Sequence, residues 1–295
     1  MLRRQFTLYT LSACAAATLP LAGCSSAPQA STPVKPWSDF ESLSTGRLGV
    51  AVLDTANGRW EGQRLDERFP MCSTFKWLAA AHVLQRVDQG REQLDRRIRF
   101  GAEALVEYSP VSEKHVGKEG MTLAELCHAA ITVSDNTAAN LILQTLGGPQ
   151  GLTAFARSLG DETTRLDRWE PALNESAPGD PRDTTTPRAM VKLLQQLVLG
   201  DVLSPASRAQ LTQWLQATRT NRSRLAADLP QGWIIGSKTG TSGNGSVNDV
   251  GIFWPPQRPP IIAAVYVTEG KADTKSIEPA IAAVARTITQ GKNAR

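Results

Sequence analysis

The sequence predicts a mixed α/β protein of the α+β kind, built as two lobes. β-rich runs lie near the start of the chain, helical spacing fills the middle, and β-rich runs return near the end. Segments from both ends would therefore share one antiparallel sheet flanked by helices, and the middle would form an all-helical lobe. Because binding sites favour such junctions, an active site is expected in the cleft between the lobes.

Two strands joined by a tight turn are predicted at the start of the domain. Residues 47–53 (RLGVAVL) are rich in strand-forming residues. Asn57-Gly58 is a strong hairpin-turn signal, and residues 59–64 would return as the second strand.

Helix signals follow in the middle of the chain. Apolar residues recur at helical spacing from Phe75 to Val87, and Gly90 would end that helix. Thr122 and Glu125 form a capping box that starts a second helix. Further helix starts are indicated at Pro187 and at Ser204-Pro205.

The last part of the chain returns to strands and closes with one helix. Strands are predicted over Trp233 to Ile235, Val250 to Trp254 and Ile261 to Val267. Ile277 to Thr289 has the spacing of an amphipathic helix. The chain thus ends with the elements that would complete the sheet.

The first residues predict export. Arg3 and Arg4 precede an apolar run from Phe6 to Ala22 that is too short for a membrane-spanning helix flanked in this way. Leu21 to Cys24 resembles a bacterial lipobox, which implies cleavage before Cys24 and a lipid on its sulfur. Ordinary cleavage without a lipid is the alternative. Either way the protein would reach the periplasm, as a lipoprotein tethered to the membrane in the first case.

These signals divide the chain into three parts. Residues 1–24 are interpreted as the signal peptide, and residues 25–40, rich in Ser, Pro, Ala and Thr, as a flexible linker. Residues 41–295 are interpreted as the folded domain. Its helical lobe would cover about 72–215, and its sheet lobe about 41–70 plus 216–291.

Composition excludes several kinds of function. The chain has 32 basic and 28 acidic side chains and a net charge of +4, with two of the basic residues in the signal peptide. Nucleic-acid binding therefore has little support. The three histidines and four cysteines show no spacing typical of a zinc site, so a zinc site is not expected.

A serine and a lysine open the first predicted helix. Ser73-Thr74-Phe75-Lys76 places Ser73 and Lys76 three residues apart, on one face of the helix and within reach of each other. The positive end of the helix also favours negative charge that develops there. Alone, this pattern is weak evidence, because a chain of this composition contains about one such motif by chance.

Two further motifs strengthen the evidence from Ser73 and Lys76. Ser134-Asp135-Asn136 lies between helical segments, where a short polar loop can point side chains into a cleft; capping of a helix that begins at Thr137 is the alternative. Lys238-Thr239-Gly240-Thr241 follows the strand predicted over Trp233 to Ile235, and its glycine allows close approach of another backbone. A strand end followed by a turn is the alternative for this motif.

Taken in this order, the three motifs resemble the serine β-lactamases and penicillin-binding proteins. Glu170 and Asn174 form an element similar to the Ω-loop of class A β-lactamases, and Arg168 with Asp183 resembles the ion pair that closes this loop. Tyr108 matches the family's aromatic wall beside the substrate. The resemblance extends from about residue 40 to the C-terminus and implies the β-lactamase fold.

The resemblance implies a role for each catalytic residue. Ser73 would attack the lactam carbonyl, and the backbone N–H groups of Ser73 and Thr241 would hold the oxyanion. Ser134 would relay a proton to the leaving nitrogen. Lys76 as the only base would have to be neutral, which costs about 4.6 kcal/mol at pH 7 from a reference pKa near 10.4. Glu170, acting through a water, is therefore the preferred base for acylation.

The remaining residues would bind the water and the substrate. Asn174 would help Glu170 hold the hydrolytic water, and Asn136 would bind the substrate's side-chain amide. Tyr108 would form the aromatic wall beside the substrate. The substrate carboxylate would meet Lys238 beside three hydroxyl groups, those of Ser134, Thr239 and Thr241.

Two positions depart from the family pattern. Val247 stands where many class A enzymes have an arginine, so Arg224 is the expected substitute and Arg222 the alternative. Ser242 stands where carbapenem-hydrolysing members have the disulfide partner of the cysteine at Cys72, which weakens a carbapenemase interpretation. The sequence leaves open whether Cys72 and Cys127 form a disulfide or remain thiols.

The resemblance therefore implies hydrolysis of penicillins and cephalosporins through a serine acyl-enzyme, conferring resistance to these antibiotics. The resemblance also implies an exported monomer without a metal or an organic cofactor. A penicillin-binding D,D-peptidase and a β-lactam sensor are the alternatives. The first has no need for Glu170 with Asn174, and the second normally needs a transmembrane relay.

Overall fold

The computed structural model describes residues 37–290. The predicted signal peptide and the predicted lipidation site at Cys24 lie outside the described residues. None of the helices in residues 37–290 combines the length and apolar character needed to cross a membrane.

The described chain contains both helices and strands, with strands grouped near its two ends. The first half contains α1 (Ser38–Ser44), β1 (Arg47–Asp54), β2 (Arg59–Gln63), β3 (Phe69–Pro70), α2 (Phe75–Asp88), β4 (Arg97–Ile98), β5 (Met121–Thr122), α3 (Leu123–Thr132) and α4 (Asn136–Thr145). The second half contains α5 (Gly148–Ser158), β6 (Thr184–Thr185), α6 (Pro187–Leu194), α7 (Pro205–Gln216), β7 (Ile234–Thr241), β8 (Val247–Trp254), β9 (Ile261–Thr268) and α8 (Thr274–Gln290).

The main sheet joins the two ends of the described chain. Its strand order is β2-β1-β9-β8-β7, and every neighbouring pair is antiparallel. β1 pairs with β9 from Arg47 opposite Thr268 to Asp54 opposite Ile261. The prediction that the terminal segments share one antiparallel sheet is confirmed. β7, at one edge of the sheet, carries the Lys238 motif.

Both faces of the central strands β1, β9 and β8 are buried, because alternate residues of these strands enter different clusters. In β1, Val50 and Val52 pack in the cluster that includes Ile281 of α8, whereas Ala51 and Leu53 pack with the helical lobe. This alternation is the two-residue period of a strand covered on both sides. The sheet is therefore a rigid support for β7.

α2 is the central helix of the helical lobe and contacts α3, α4, α5 and α7. Trp77, Leu78 and Leu84 are completely buried. The capping box predicted before α3 is present, with the Thr122 hydroxyl accepting from the Glu125 N–H and the Glu125 carboxylate accepting from the Thr122 N–H. Tight packing on all sides fixes the start of α2, where the serine and lysine lie.

Three of the differences from the predicted boundaries have a clear physical reason. α1 begins at Ser38, inside the predicted linker of residues 25–40, because Phe40 is buried and packs edge-on against Trp37. β7 continues to Thr241, since its pairing with β8 keeps the Lys238 motif inside the strand rather than after it. α4 begins at Asn136, with Asp135 as its N-cap, and not at Thr137.

Candidate active site

Ser73 lies at the base of a cleft of about 860 Å³. It belongs to a short 3₁₀ turn, Cys72–Thr74, that leads directly into α2. Its side chain is almost buried, and its Oγ donates to Glu170 Oε1 at 3.2 Å. The hydroxyl that the sequence predicts as the nucleophile therefore contacts the carboxylate predicted as the base.

Lys76 is completely buried one turn further along the chain. Its Nζ lies 3.0 Å from Glu170 Oε1, 2.6 Å from Asn136 Oδ1 and 2.8 Å from the carbonyl oxygen of Ser134. Burial lowers the pKa of Lys76, and the negative charge of Glu170 opposes that shift. The ammonium thus connects the Ser73 motif with the Ser134 motif and with Glu170.

Glu170 is held through both its backbone and its carboxylate. Its N–H donates to Asn140 Oδ1 at 3.0 Å, and Asn140 Nδ2 donates back to the Glu170 carbonyl at 2.9 Å. Asn174 Nδ2 donates to Glu170 Oε2 at 2.5 Å. The sequence analysis missed Asn140, although it lies four residues after Asn136 on α4 and so on the same helix face.

The loop that carries Glu170 is closed by the predicted ion pair. Arg168 Nε lies 2.6 Å from Asp183 Oδ2. Asp183 Oδ1 also accepts from the backbone N–H groups of Asp167 and Arg168, at 2.7 and 2.9 Å. The buried Asp183 carboxylate therefore fixes the backbone just before Glu170. The Glu170–Pro171 peptide bond is cis.

Ser134 lies between the two lysines of the cleft. Its Oγ is 3.1 Å from Lys238 Nζ and 3.4 Å from Lys76 Nζ. Its backbone has a positive φ of 64°. The buried Asp135 next to it accepts from Ser112 Oγ at 2.7 Å and from the Ala138 N–H at 2.8 Å. These bonds fix the loop in a conformation that few residues adopt.

Lys238 is also completely buried, and its Nζ donates to the Thr239 carbonyl at 2.6 Å. Burial and the charge of Lys76 hold the pKa of Lys238 well below its usual range. A Cβ at Gly240 would lie 2.6 Å from the Met71 carbonyl oxygen, so only glycine fits there. The Thr239 hydroxyl is 2.6 Å from that of Thr220, a cleft residue that the sequence analysis missed.

Arg224, and not Arg222, contacts the cleft. Its guanidinium is buried and donates to the carbonyls of Gly240 and Asn248, each at 2.9 Å, and to Thr241 Oγ1 at 2.8 Å. Arg222 is exposed. Arg224 Nε also lies 3.0 Å from Glu278 Oε1 of α8, a partner that no sequence signal indicated.

The opposite side of the cleft carries Tyr108 and Asn136. Tyr108 is 57% exposed, and its carbonyl accepts from the Asn136 N–H at 3.0 Å. Asn136 Nδ2 donates to the Glu107 carbonyl at 2.8 Å while Oδ1 accepts from Lys76. The amide keeps one hydrogen and one lone pair for a ligand.

Ser73 and Thr241 both line the cleft, as a shared oxyanion site requires.

The two cysteines of the described chain are buried free thiols. Cys72 Sγ lies 3.6 Å from Ser176 Oγ, and burial raises the pKa of Cys72 to about 12. The question that the sequence left open is thus resolved in favour of two thiols.

Comparisons with known proteins agree with this geometry. A model described as the β-lactamase enzyme family matches residues 36–291. The β-lactamase OXY-2 of Klebsiella oxytoca is 46% identical over 278 residues, covering 94% of this chain and 96% of the relative. The carbapenem-hydrolysing β-lactamase KPC of Klebsiella oxytoca is 47% identical over 273 residues, covering 92% and 93%. The solved structure of an ancestral (GNCA) class A β-lactamase has a TM-score of 0.84 and 63% identity, covering 86% of this chain and 97% of that one.

Proposed function

The chain belongs to the class A β-lactamase family and hydrolyses the β-lactam ring, and from this premise we propose which of its residues carry each step. The supporting observation is that Ser73, Lys76, Ser134 and Glu170 form one continuous set of contacts, none longer than 3.4 Å. A nucleophile, a base and a proton relay are thereby within reach of one reacting carbonyl.

In acylation, Ser73 Oγ attacks the lactam carbonyl. Its proton passes to Glu170 through a water, and the N–H groups of Ser73 and Thr241 stabilise the oxyanion. The C–N bond then breaks as Ser134 Oγ gives its proton to the ring nitrogen. Lys76 contacts Ser134 and Glu170, so it can give a proton to Ser134 and take up the proton that Glu170 received, which leaves Glu170 ionised for deacylation.

The contacts of Lys76 favour Glu170 as the base. An ammonium has three N–H donors and no acceptor, and Lys76 Nζ has three oxygen acceptors within 3.0 Å. This arrangement suits the charged form of Lys76, although burial lowers its pKa. A carboxylate that is already ionised can accept a proton without the cost of first neutralising a lysine.

In deacylation, Glu170 and Asn174 hold the hydrolytic water. The short bond between Asn174 Nδ2 and Glu170 Oε2 orients the carboxylate, and Oε1 points toward Ser73. The water gives a proton to Glu170 as it attacks the ester carbon, and Glu170 passes this proton to Ser73 Oγ as the ester bond breaks. A D,D-peptidase would not need this pair beside the nucleophile.

Penicillins and cephalosporins are the proposed substrates. Their carboxylate would bind at Lys238 and Arg224 beside the hydroxyl groups of Ser134, Thr239 and Thr241. Asn136 would bind the side-chain amide, and Tyr108 would pack against the substrate. Gly240 lets β7 lie close to the backbone of Met71, next to the turn that carries Ser73, which supports binding of the substrate between Ser73 and this edge strand.

Steady-state and stopped-flow hydrolysis of a chromogenic cephalosporin and of benzylpenicillin test this proposal. We expect fast turnover that Ser73→Ala abolishes. A single stoichiometric burst without turnover would instead indicate a penicillin-binding or sensor protein and would refute the role given to Glu170.

We also propose that residues 1–24 direct export to the periplasm, that Cys24 carries a lipid, and that the enzyme is a monomer. The apolar run and the lipobox-like pattern support the first two points. Labelling of expressing cells with a clickable palmitate should fail in Cys24→Ser, and equal labelling would refute lipidation. Light scattering of the purified domain tests the monomer.

A further inference from the structure

Asn248 is a buried residue of β8 whose side-chain amide takes no part in the steps above. Its backbone pairs with Gly240 of β7 on one side and with Tyr266 of β9 on the other. Side chains at paired positions of neighbouring strands lie on the same face of a sheet. These three residues therefore form one row across the sheet, and Tyr266 packs in the cluster of the helical lobe, so the row faces that lobe.

The row contacts the Ser73 turn, which comprises residues 70–74. Asn248 Nδ2 donates to the carbonyl of Pro70 at 2.9 Å and to the carbonyl of Met71 at 3.2 Å. An amide nitrogen has two N–H groups, so both can be used on these consecutive carbonyls. The backbone that leads into Ser73 is thereby bonded to the middle of the row.

The two neighbours of Asn248 in the row also fit the Ser73 turn. The Tyr266 hydroxyl lies 3.3 Å from Thr74 Oγ1, just after Ser73. Gly240, without a Cβ, leaves room for the Met71 carbonyl. The row therefore contacts the turn on both sides of the nucleophile, and Asn248 supplies the two bonds to its backbone.

The orientation of the Asn248 amide follows from its partners. Asn248 Oδ1 is buried and has no hydrogen-bond partner among residues 37–290. Rotating the amide by half a turn would place this oxygen against two carbonyl oxygens, which cannot donate. A buried acceptor without a partner costs free energy. The bonds to the Ser73 turn are thus kept although they leave the amide oxygen unpaired.

The Ser73 turn contains a backbone conformation that needs such support. Cys72 has a φ of 47°, which is uncommon for a residue with a side chain. Conformations of this kind persist only where the surrounding structure holds them. Because Asn248 binds the carbonyls of the two residues before Cys72, it helps to fix the direction of the Ser73 N–H.

The second N–H of the proposed oxyanion site belongs to Thr241. Thr241 pairs with Val247, the residue before Asn248, and Gly240 pairs with Asn248 itself. The main chain of Asn248 thus belongs to the β7–β8 pairing that holds Thr241, while its side chain holds the turn that carries Ser73. One residue connects the two N–H groups.

We propose that Asn248 is a positioning residue of the oxyanion site, whose amide sets the separation between the N–H groups of Ser73 and Thr241. This inference rests on the proposed role of these two N–H groups in stabilising the oxyanion.

The test uses the Glu170→Ala protein, in which the acyl-enzyme formed with benzylpenicillin should accumulate. Hydrogen bonds from an oxyanion site lower the stretching frequency of the ester carbonyl. Asn248→Ala in this background should therefore move that stretch to higher wavenumber in an isotope-edited infrared difference spectrum. The acylation rate, measured by stopped flow, should fall about 10- to 100-fold, because misplaced donors stabilise the transition state less.

Two further variants complete the experiment. Asn248→Leu keeps most of the volume but has no donor, so it should behave in the same way, and it serves if the alanine variant does not fold. Ser44→Ala is the matched control, because the buried Ser44 hydroxyl also contacts two backbone carbonyls, those of Glu41 at 2.7 Å and Gly46 at 3.1 Å. None of these three residues lines the cleft, so Ser44→Ala should change neither the stretch nor the acylation rate.

Each outcome bears on the inference. A higher wavenumber with slower acylation in the Asn248 variants, and neither change in Ser44→Ala, supports it. An ester stretch equal to that of the Glu170→Ala protein would overturn it even if acylation were slower, since Asn248 would then be only structural. The same changes in Ser44→Ala would also overturn it, because the loss of any buried bond would then suffice. If the Glu170→Ala protein itself forms no acyl-enzyme, the proposed function fails and the inference with it.

Discussion

Lys76 Nζ and Glu170 Oε1 lie 3.0 Å apart, and both side chains are completely buried. Removing one member of a buried ion pair leaves an uncompensated charge, which typically costs about 3–5 kcal/mol. Here the pair also contacts Ser73 and Ser134. Changes at either residue should therefore alter both catalysis and stability.

Glu170→Ala should trap the acyl-enzyme. Acylation should survive in part, because Ser73 and Lys76 remain, whereas deacylation should fall by about 10²–10⁴-fold without its base. Mass spectrometry after mixing with benzylpenicillin should show the protein with the antibiotic covalently attached. Unchanged turnover would contradict the role of Glu170 in both steps.

Lys76→Ala should abolish rapid acylation. The variant removes the cation that contacts Glu170, Ser134 and Asn136, so we expect the acylation rate to fall about 10³-fold or more. Stopped-flow measurement of the burst with a chromogenic cephalosporin gives this rate directly. An acylation rate equal to that of the wild type would show that Lys76 is only structural.

Asn140→Ala should slow deacylation although Asn140 does not line the cleft. The variant removes both hydrogen bonds that hold the Glu170 backbone. Losing about 1–3 kcal/mol of hydrogen-bond free energy there would make deacylation roughly 5- to 150-fold slower. Gln144→Ala, at an exposed position one turn further along α4, is the matched control. Equal kcat in the two variants would argue against this role.

Arg224→Ala should weaken recognition of the substrate carboxylate. We expect kcat/KM for benzylpenicillin to fall about 10- to 100-fold, as for other charged hydrogen bonds. Arg222→Ala removes a nearby exposed arginine and should change kcat/KM less than twofold. If Arg222→Ala has the larger effect, the assignment of Arg224 is wrong.

His82 should make the free energy of unfolding depend on pH. Burial, together with Arg86 and Arg91, lowers the pKa of His82 to about 4, while its ring stacks on Phe155 at 4.3 Å. In the unfolded chain His82 binds a proton below about pH 6.5, whereas in the folded chain it stays neutral until about pH 4. The contribution of neutral His82 to the free energy of unfolding is therefore present above about pH 6.5 and is lost as the pH falls toward 4. Urea unfolding of His82→Phe, which keeps the stack, should show a smaller fall between about pH 7 and about pH 4.5. An identical fall would mean that His82 does not contribute.

The placements that can be predicted from the sequence are those set by local helix geometry. Ser73 and Lys76 are three residues apart at a helix start, and Thr122 with Glu125 forms a capping box within one turn. Helical periodicity is enough to place such pairs. Glu278 could not be found in this way, because it reaches Arg224 only after α8 packs on the sheet across 54 residues of chain.

β7 shows a second limit of sequence reasoning. The polar and glycine-containing Lys238 motif favours a turn by local propensity, yet pairing from Ile234 opposite Trp254 to Thr241 opposite Val247 extends the strand through it. Pairing with β8 therefore overrides the local preference of the Lys238 motif for a turn. The positive φ of Ser134 likewise follows from the bonds of Asp135 and has no signature of its own in the sequence.

The pairing of β1 with β9 also determines when the protein can fold. β9 links the β1–β2 hairpin to the β8–β7 hairpin, so the ribosome must release Ile261 to Thr268 before the two halves of the sheet can join. Contacts so distant in sequence form slowly because a long loop must close first. A nascent chain therefore stays without its complete sheet, and without a supported β7, until β9 has been synthesised and released.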